Sequence, residues 1–266
     1  MRLANKVIIV TGSTTGIGKA IALRCAQEGA RIVLHGLEEE WGQEVMDLLG
    51  PENAVLHIED ISADGAAKRL VEVAITKFGQ LDAVVNNAAM VASSNIHTTD
   101  TAYLEKILAV NTIAPFNLIK AALPYLEMQR GAVLNIGSVN AYSGEPNLLA
   151  YSISKGALMT MTRNLGDTLF RENGVRVNQV NPGWVLTETE IKRKKEHGLA
   201  EDWFKELPAV YAPAGRILKP AEIAAAAVYW LADESGPISG QVVDLEQYPF
   251  IGRNPPKDNS TIQTKP

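Results

Sequence analysis

Val7-Ile8-Ile9-Val10-Thr11-Gly12-Ser13-Thr14-Thr15-Gly16-Ile17-Gly18 decides the fold. A short β-branched run ends in a threonine and a cluster of glycines, and residues with apolar spacing of a helix follow at once. That is a strand, a tight turn and a helix. Glycine at such a junction permits positive φ, lets a ligand approach the backbone, and lets the helix pack closely on the strand. The unpaired amides Gly12 to Gly18 and the positive end of the helix dipole would then face a pyrophosphate, with Thr14, Thr15 and Ile17 framing it. The glycine spacing is not the Gly-x-Gly-x-x-Gly of the general dinucleotide fingerprint, so a ligand-free glycine turn is the competing reading.

Outward from this unit the pattern repeats. Further β-branched runs occupy 31–36, 54–60, 82–88, 131–138, 175–183 and 240–246, and helix-spaced segments lie at 17–28, 38–49, 63–78, 101–128, 150–171 and 221–231. Near-continuous apolar strands alternating with helices predict an α/β protein: a doubly wound, parallel, seven-stranded sheet with helices on both faces, in a single domain. That domain would span 1–252, with a polar, helix-prone insertion at about 187–215 and an unpacked tail at 253–266. Ligands of such a sheet bind at the carboxyl ends of its strands.

Composition narrows the function classes. The 266 residues carry a net charge of -5, which gives no electrostatic reason to bind nucleic acid or an anionic membrane surface. A single cysteine, Cys25, and four scattered histidines offer neither a disulfide nor a metal site. The longest unbroken apolar run, 223–232, is too short to span a bilayer, and the start of the chain lacks the pattern of a secretory signal, so a cytoplasmic protein is expected.

Tyr151 and Lys155 stand four apart on a predicted helix, and Ser138 lies at the carboxyl end of the fifth strand. A free tyrosine ionises near pH 10. An ammonium about 4 Å away, at an effective dielectric near 20, would favour the phenolate by about 4 kcal/mol, enough to bring it toward neutrality. Tyr151 would then serve as acid or base while Ser138 donates to the substrate oxygen.

These motifs resemble the short-chain dehydrogenase/reductase family, single-domain type. TGSTTGIG at 11–18, NNAA at 86–89, Asn111, Ser138, Tyr151, Lys155 and NPGWVLT at 181–187 occur in the family's order. The resemblance implies an NAD- or NADP-dependent oxidoreductase interconverting an alcohol and a ketone. It implies catalytic roles for Asn111, Ser138, Tyr151 and Lys155, with Lys155 also holding the nicotinamide ribose and Asn111 anchoring a water. It places Asp60 and Ile61 at the adenine, Asn87 and Ala88 at the adenosine ribose, Ala89 at the cofactor, and Pro182, Gly183, Val185 and Thr187 at the nicotinamide. A nucleotide-binding regulator on the same fold is the competing class, and its mark would be a damaged catalytic set.

Two places depart from the family pattern. Where NAD-using members place an Asp this chain has Gly36, and where many NADP-using members place an Arg it has Leu37. Glu38, Glu39 and Glu40 follow, either repelling a 2′-phosphate or favouring the start of the next helix through its dipole. His35 is a candidate partner for a ribose hydroxyl or a phosphate. NAD is the expected cofactor, with NADP the alternative. The last strand also departs, running VVDLEQYPFIG in place of the family's Val-Asp-Gly-Gly ending, with Tyr248 and Phe250 as packing or interface residues.

Ser138, Asn140, Tyr142 and Trp184 are the candidate substrate residues, and the substrate would be a sugar, polyol, hydroxy acid or small carbonyl compound. The basic cluster 192–195 reads either as an anion trap or as a solvated helix face. The segments 101–128 and 150–171 carry more apolar residues than one buried stripe requires, and with the resemblance this predicts a homotetramer or homodimer.

Overall fold

The structure, a computed structural model, describes residues 1–248 apart from Ser143 and His197. The expected tail at 253–266 and Phe250 lie outside the described residues. In chain order the elements are β1 (Val7–Val10), α1 (Gly16–Gln27), β2 (Arg31–Gly36), α2 (Glu39–Leu49), β3 (Ala54–Ile58), α3 (Ala66–Phe78), β4 (Ala83–Asn86), α4 (Thr101–Leu108), α5 (Ala114–Gln129), β5 (Ala132–Ile136), α6 (Leu149–Asn173), β6 (Arg176–Pro182), α7 (Glu188–Glu196), α8 (Pro220–Leu231) and β7 (Val242–Leu245). All seven strands run parallel in the order β3-β2-β1-β4-β5-β6-β7.

The pleat divides the apolar residues of each strand between two cores. Ile8 and Val10 of β1 join Ile21, Cys25, Ile223 and Val228 on the face covered by α1 and α8. Val7 and Ile9 join Leu70, Leu118, Ala122 and Leu169 on the face covered by α3, α5 and α6. Both faces being covered, the strands read as continuous apolar runs. The strand order reverses beside β1, so the ends of β1 and β4 open the crevice where such sheets bind ligands.

The predicted helix at 101–128 is not continuous. A π-helical turn, Ala109–Ile113, separates α4 from α5. Pro115 has no N–H for the Asn111 carbonyl, so regular α-helical bonding fails at this point. By length and mean hydropathy the run 101–129 matches a membrane-spanning helix, yet Leu118, Ile119, Ala122 and Leu126 are buried in the sheet core, as in a core helix of a globular domain.

The insertion is not simply polar. Between α7 and α8 a short 3-10 turn, Trp203–Lys205, and the loop behind it bury Trp203, Ala212 and Ile217, with Trp184, Leu186, Phe204 and Leu207 packed around them. This small cluster sits above the carboxyl end of β6, joined to the body by a parallel bridge between Val185 and Leu218.

Candidate active site

Gly12 and Gly16 take φ of +63° and +55°, values open to glycine. A β-carbon on Gly18 would collide with the Gly12 carbonyl and the Asn87 side chain, so α1 can start this close to β1 only with glycine there. Thr15, at the N-cap of α1, makes no side-chain capping bond, leaving the first amides of the helix unclaimed by a cap. The Thr11 hydroxyl accepts from the Asn87 and Ala88 amides, both at 3.0 Å, and the Asn87 side chain donates to the Thr11 and Gly12 carbonyls at 2.9 and 3.0 Å. The Asn87 side chain therefore braces the turn, and Ala89 is exposed beside it.

His35, only 2% exposed, lies beneath the turn, where the Gly12 amide donates to Nδ1 at 3.4 Å and Nε2 has no partner among the described residues. Burial, reinforced by the neighbouring His57, pushes its pKa down to about 4. Gly36 is glycine for a packing reason: its missing side chain leaves the space taken by the Thr14 side chain. The Thr14 hydroxyl donates to Glu38 Oε2 at 3.3 Å. Glu38 thus faces the turn, and although it occupies the N-cap of α2 it makes no capping bond. Leu37 is 62% exposed.

Asp60 Oδ1 accepts from the Ser62 amide and hydroxyl at 2.9 and 2.7 Å, which lowers its pKa and ties it into a local turn. The Ile61 side chain is buried in the second core, so its backbone is the part left to meet a ligand.

Across the crevice, Ser138, Tyr151 and Lys155 converge at the carboxyl end of β5. Lys155 is 2% exposed and its Nζ donates to the Ile136 carbonyl at 2.7 Å. Burial lowers its pKa to about 8. The ammonium lies 5.7 Å from the centre of the Tyr151 ring. The expected lowering of the tyrosine does not occur: burial raises Tyr151 to about 12, opposed by its hydrogen bond with Ser138. Desolvation penalises the phenolate, and Lys155 gives one of its three N–H groups to the Ile136 carbonyl.

Ser138 is held from several sides. Its hydroxyl accepts from the Asn140 amide at 3.2 Å, and its own amide donates to Asn181 Oδ1 at 3.1 Å. Asn181 belongs to a side-chain ladder running Asn86, Asn135, Thr162, Gln179, Asn181, Asp244, Tyr142, with links of 2.7 to 3.1 Å. The Tyr142 hydroxyl is thereby engaged with Asp244. Sequence reading missed this ladder; its signal was the run of amide residues in β6, too polar for a buried strand. Asn111, fully buried, accepts from the Met90 amide at 2.8 Å and donates to the Met90 carbonyl and Ser154 hydroxyl, both at 3.0 Å.

Pro182 ends β6 and Gly183 leaves no room for a β-carbon against the Glu246 carboxylate, which accepts from the Trp184 amide at 3.0 Å. Glu246 was not foreseen; it stands where the last strand departs from the family pattern. Val185 is buried, and Thr187 approaches Gly16, closing the site from above.

With this geometry in view, comparison with known proteins is direct. A family model described as Enoyl-(Acyl carrier protein) reductase matches residues 12–246. An uncharacterized oxidoreductase of Thermotoga maritima is 34% identical over 92% of this chain and 98% of its own length. An NADP-dependent (R)-specific alcohol dehydrogenase of Lentilactobacillus kefiri is 31% identical over 88% of this chain and 92% of its own. The chain belongs to the short-chain dehydrogenase/reductase family. A 3-ketoacyl-(acyl-carrier-protein) reductase of Brucella melitensis, solved with NADH, superposes with a TM-score of 0.81 at 26% identity, covering 91% of this chain and 97% of that one. As a short-chain dehydrogenase/reductase the protein is an NAD(P)-dependent oxidoreductase that binds a nicotinamide cofactor.

Proposed function

We propose that the protein interconverts a secondary alcohol and a ketone, with Tyr151 as the proton-transfer group. The observation that carries this reading is the convergence of Ser138, Tyr151 and Lys155 at the carboxyl end of β5. The residues present suit a dinucleotide: uncapped amides at α1, glycines where a backbone must approach closely, and an unpartnered buried His35 nitrogen beneath the turn. Gly12, Thr14, Thr15, Gly16, Ile17 and Gly18 would hold its phosphates, Asp60, Ile61 and Ala88 its adenosine, and Lys155, Val185 and Thr187 its nicotinamide end. When bound, the nicotinamide supplies or accepts the hydride at the carbinol carbon.

The protein's own part is proton handling and orientation. A phenol whose pKa stands near 12 is fully protonated at neutrality, the form required to give a proton to a ketone oxygen. Ser138, fixed by Asn140 and Asn181, orients that oxygen. In alcohol oxidation the same phenol must first lose its proton, so the phenolate has to be stabilised by charge brought in around Lys155.

NAD is favoured over NADP. The Glu38 carboxylate, drawn toward the turn by Thr14, puts negative charge where a 2′-phosphate would sit, and exposed Leu37 offers that phosphate no cation. Thermal-shift titration should give a lower dissociation constant for NAD than for NADP, and Glu38→Gln should narrow the gap. Tighter binding of NADP would reverse the assignment.

The protein also forms a dimer or tetramer. Much of the apolar surplus in α5 and α6 is buried within the chain, as for Ile119, Leu158 and Leu169, but Ile113, Phe116 and Ile153 are 52%, 45% and 43% exposed. These outward residues favour pairing of the two helices with a second copy. Light scattering at micromolar concentration should give at least twice the 28.7 kDa chain mass, and a monomer would refute this.

A further inference from the structure

The loop after β4 buries a single polar residue. From Val91 to Asp100 every residue reaches solvent at least in part except Ser94, which is 2% exposed. A small hydroxylated side chain adds little to a core, so its burial is explained by hydrogen bonding rather than by packing. Its amide, its carbonyl and its hydroxyl oxygen are all engaged with one short stretch, 147–150. The Ser94 amide donates to the Asn147 carbonyl at 2.9 Å, the Ser94 carbonyl accepts from the Leu149 amide at 3.0 Å, and Ser94 Oγ accepts from the Ala150 amide at 3.0 Å. A parallel bridge pairs Ser94 with Leu148 at the same place.

Leu149 and Ala150 open α6, and Tyr151 is the third residue of that helix. The first amides of a helix have no carbonyl in a preceding turn to receive them, and an N-cap side chain ordinarily takes one of them. The N-cap of α6 is Leu148, whose side chain has no acceptor. Ser94 supplies from another part of the chain what that N-cap lacks, taking the first amide on its carbonyl and the second on its hydroxyl. The helix is anchored again just beyond Tyr151. Asn111 Nδ2 donates to Ser154 Oγ at 3.0 Å, Thr112 Oγ1 donates to the Ser154 carbonyl at 3.1 Å, and Ser154 Oγ donates to the Tyr151 carbonyl at 2.7 Å. The loop is itself tied at its start, where the Met90 amide and carbonyl meet Asn111. Tyr151 therefore stands between two anchors, and Lys155, one turn deeper, has its own at the Ile136 carbonyl.

We infer that Ser94 is a positioning residue for the reaction: it caps α6 from the loop after β4 and so fixes the turn that holds the Tyr151 hydroxyl against Ser138. This rests on the alcohol/ketone reading above. Without the Ser94 hydroxyl the Ala150 amide, in a fully buried residue, has lost its acceptor, and the helix opens from its first residues. Tyr151 moves first because it is nearest the free end, while Ser154 and Lys155 keep their anchors. Proton transfer needs hydrogen-bond reach, so a small displacement of the phenol costs much in rate and little in stability.

Ser94→Ala deletes the hydroxyl and keeps both backbone bonds, so the melting temperature should fall by no more than about 4 °C. Turnover is measured by NADH-linked reduction of the best accepted of dihydroxyacetone, ethyl acetoacetate and 2,3-butanedione. There kcat should fall by about tenfold to a hundredfold, with the KM for the ketone and the dissociation constant for NADH little changed. A second arm needs no turnover: hydrogen exchange of the backbone over 147–155 should quicken in Ser94→Ala and stay at the wild-type rate elsewhere. Ser93→Ala, one residue earlier on the exposed side of the loop, should alter neither. Unchanged exchange over 147–155, unchanged kcat, an equal loss in Ser93→Ala, or faster exchange across the whole sheet with weakened NADH binding overturns the inference. Tyr151→Phe separates it from the reading beneath it. If that variant keeps its turnover the acid/base assignment fails, and the exchange arm still decides whether Ser94 holds the turn; if it loses turnover and Ser94→Ala does not, only the positioning role fails.

Discussion

Tyr151→Phe is expected to lower turnover by about two orders of magnitude or more, with cofactor affinity little changed. The substitution keeps the ring and deletes only the hydroxyl that meets Ser138 and, in the proposed mechanism, exchanges the proton. Steady-state turnover with any accepted substrate, measured beside a thermal-shift titration with NAD, checks both halves. More than about a tenth of wild-type turnover remaining would end the assignment. Ser138→Ala should cost less, since the proton donor remains. It should also leave the fold intact, because Ser138 holds Asn181 through its backbone amide.

Acidification is expected to destabilise the protein through His35 well before its carboxylates titrate. His35 is buried and its pKa stands at about 4 in the fold against 6.5 ordinarily. The unfolded chain therefore binds a proton that the folded one refuses. Stability is complete above pH 6.5 and falls as pH drops from there toward 4, by about 3 kcal/mol. Of the groups around it, His57 works against a charge on His35, while Glu59 and Asp60 favour one without restoring its pKa. Glu59 and Glu222, held down to about 2 by Arg69 and Arg216, lose their contributions only below 4.5, so the two limbs separate on the pH axis. Urea unfolding at pH 7 and pH 5 should reveal the first limb, and His35→Gln should flatten it. An equal loss of stability in wild type and variant across this window would show that His35 is not the buried base.

Much of the fold was legible along the chain, because it depends on short-range patterns. Seven apolar runs separated by helix-spaced segments define a parallel sheet, and the glycines of 11–18 mark the turn, since glycine takes those dihedral angles without steric cost and leaves room for the close approach at Gly18. Ser138, Tyr151 and Lys155 were legible for the same reason: strand end and helix spacing bring them to one place. The break at Asn111 was signalled by Pro115, four residues on, but apolar periodicity alone masked it.

What tertiary structure alone decided depends on residues far apart meeting in a dry interior. Gly36 is explained by the Thr14 side chain, Glu246 by the backbone of Gly183 and Trp184, and the posture of Ser138 by Asn181 in another strand. No local spacing encodes these pairings. The proton affinity of Tyr151 was the sharpest reversal: sequence supplied a neighbouring cation, while the fold supplied desolvation of the phenol. In the same way one basic run became two outward and two inward cations, because the helix period and Glu190, not composition, determine which charges turn inward. Sequence by itself determined the sheet and the turn through local periodicity and backbone sterics, and set Ser138, Tyr151 and Lys155 at one strand end. Tertiary structure decided their electrostatics, because desolvation and hydrogen-bond allocation are properties of the packed whole.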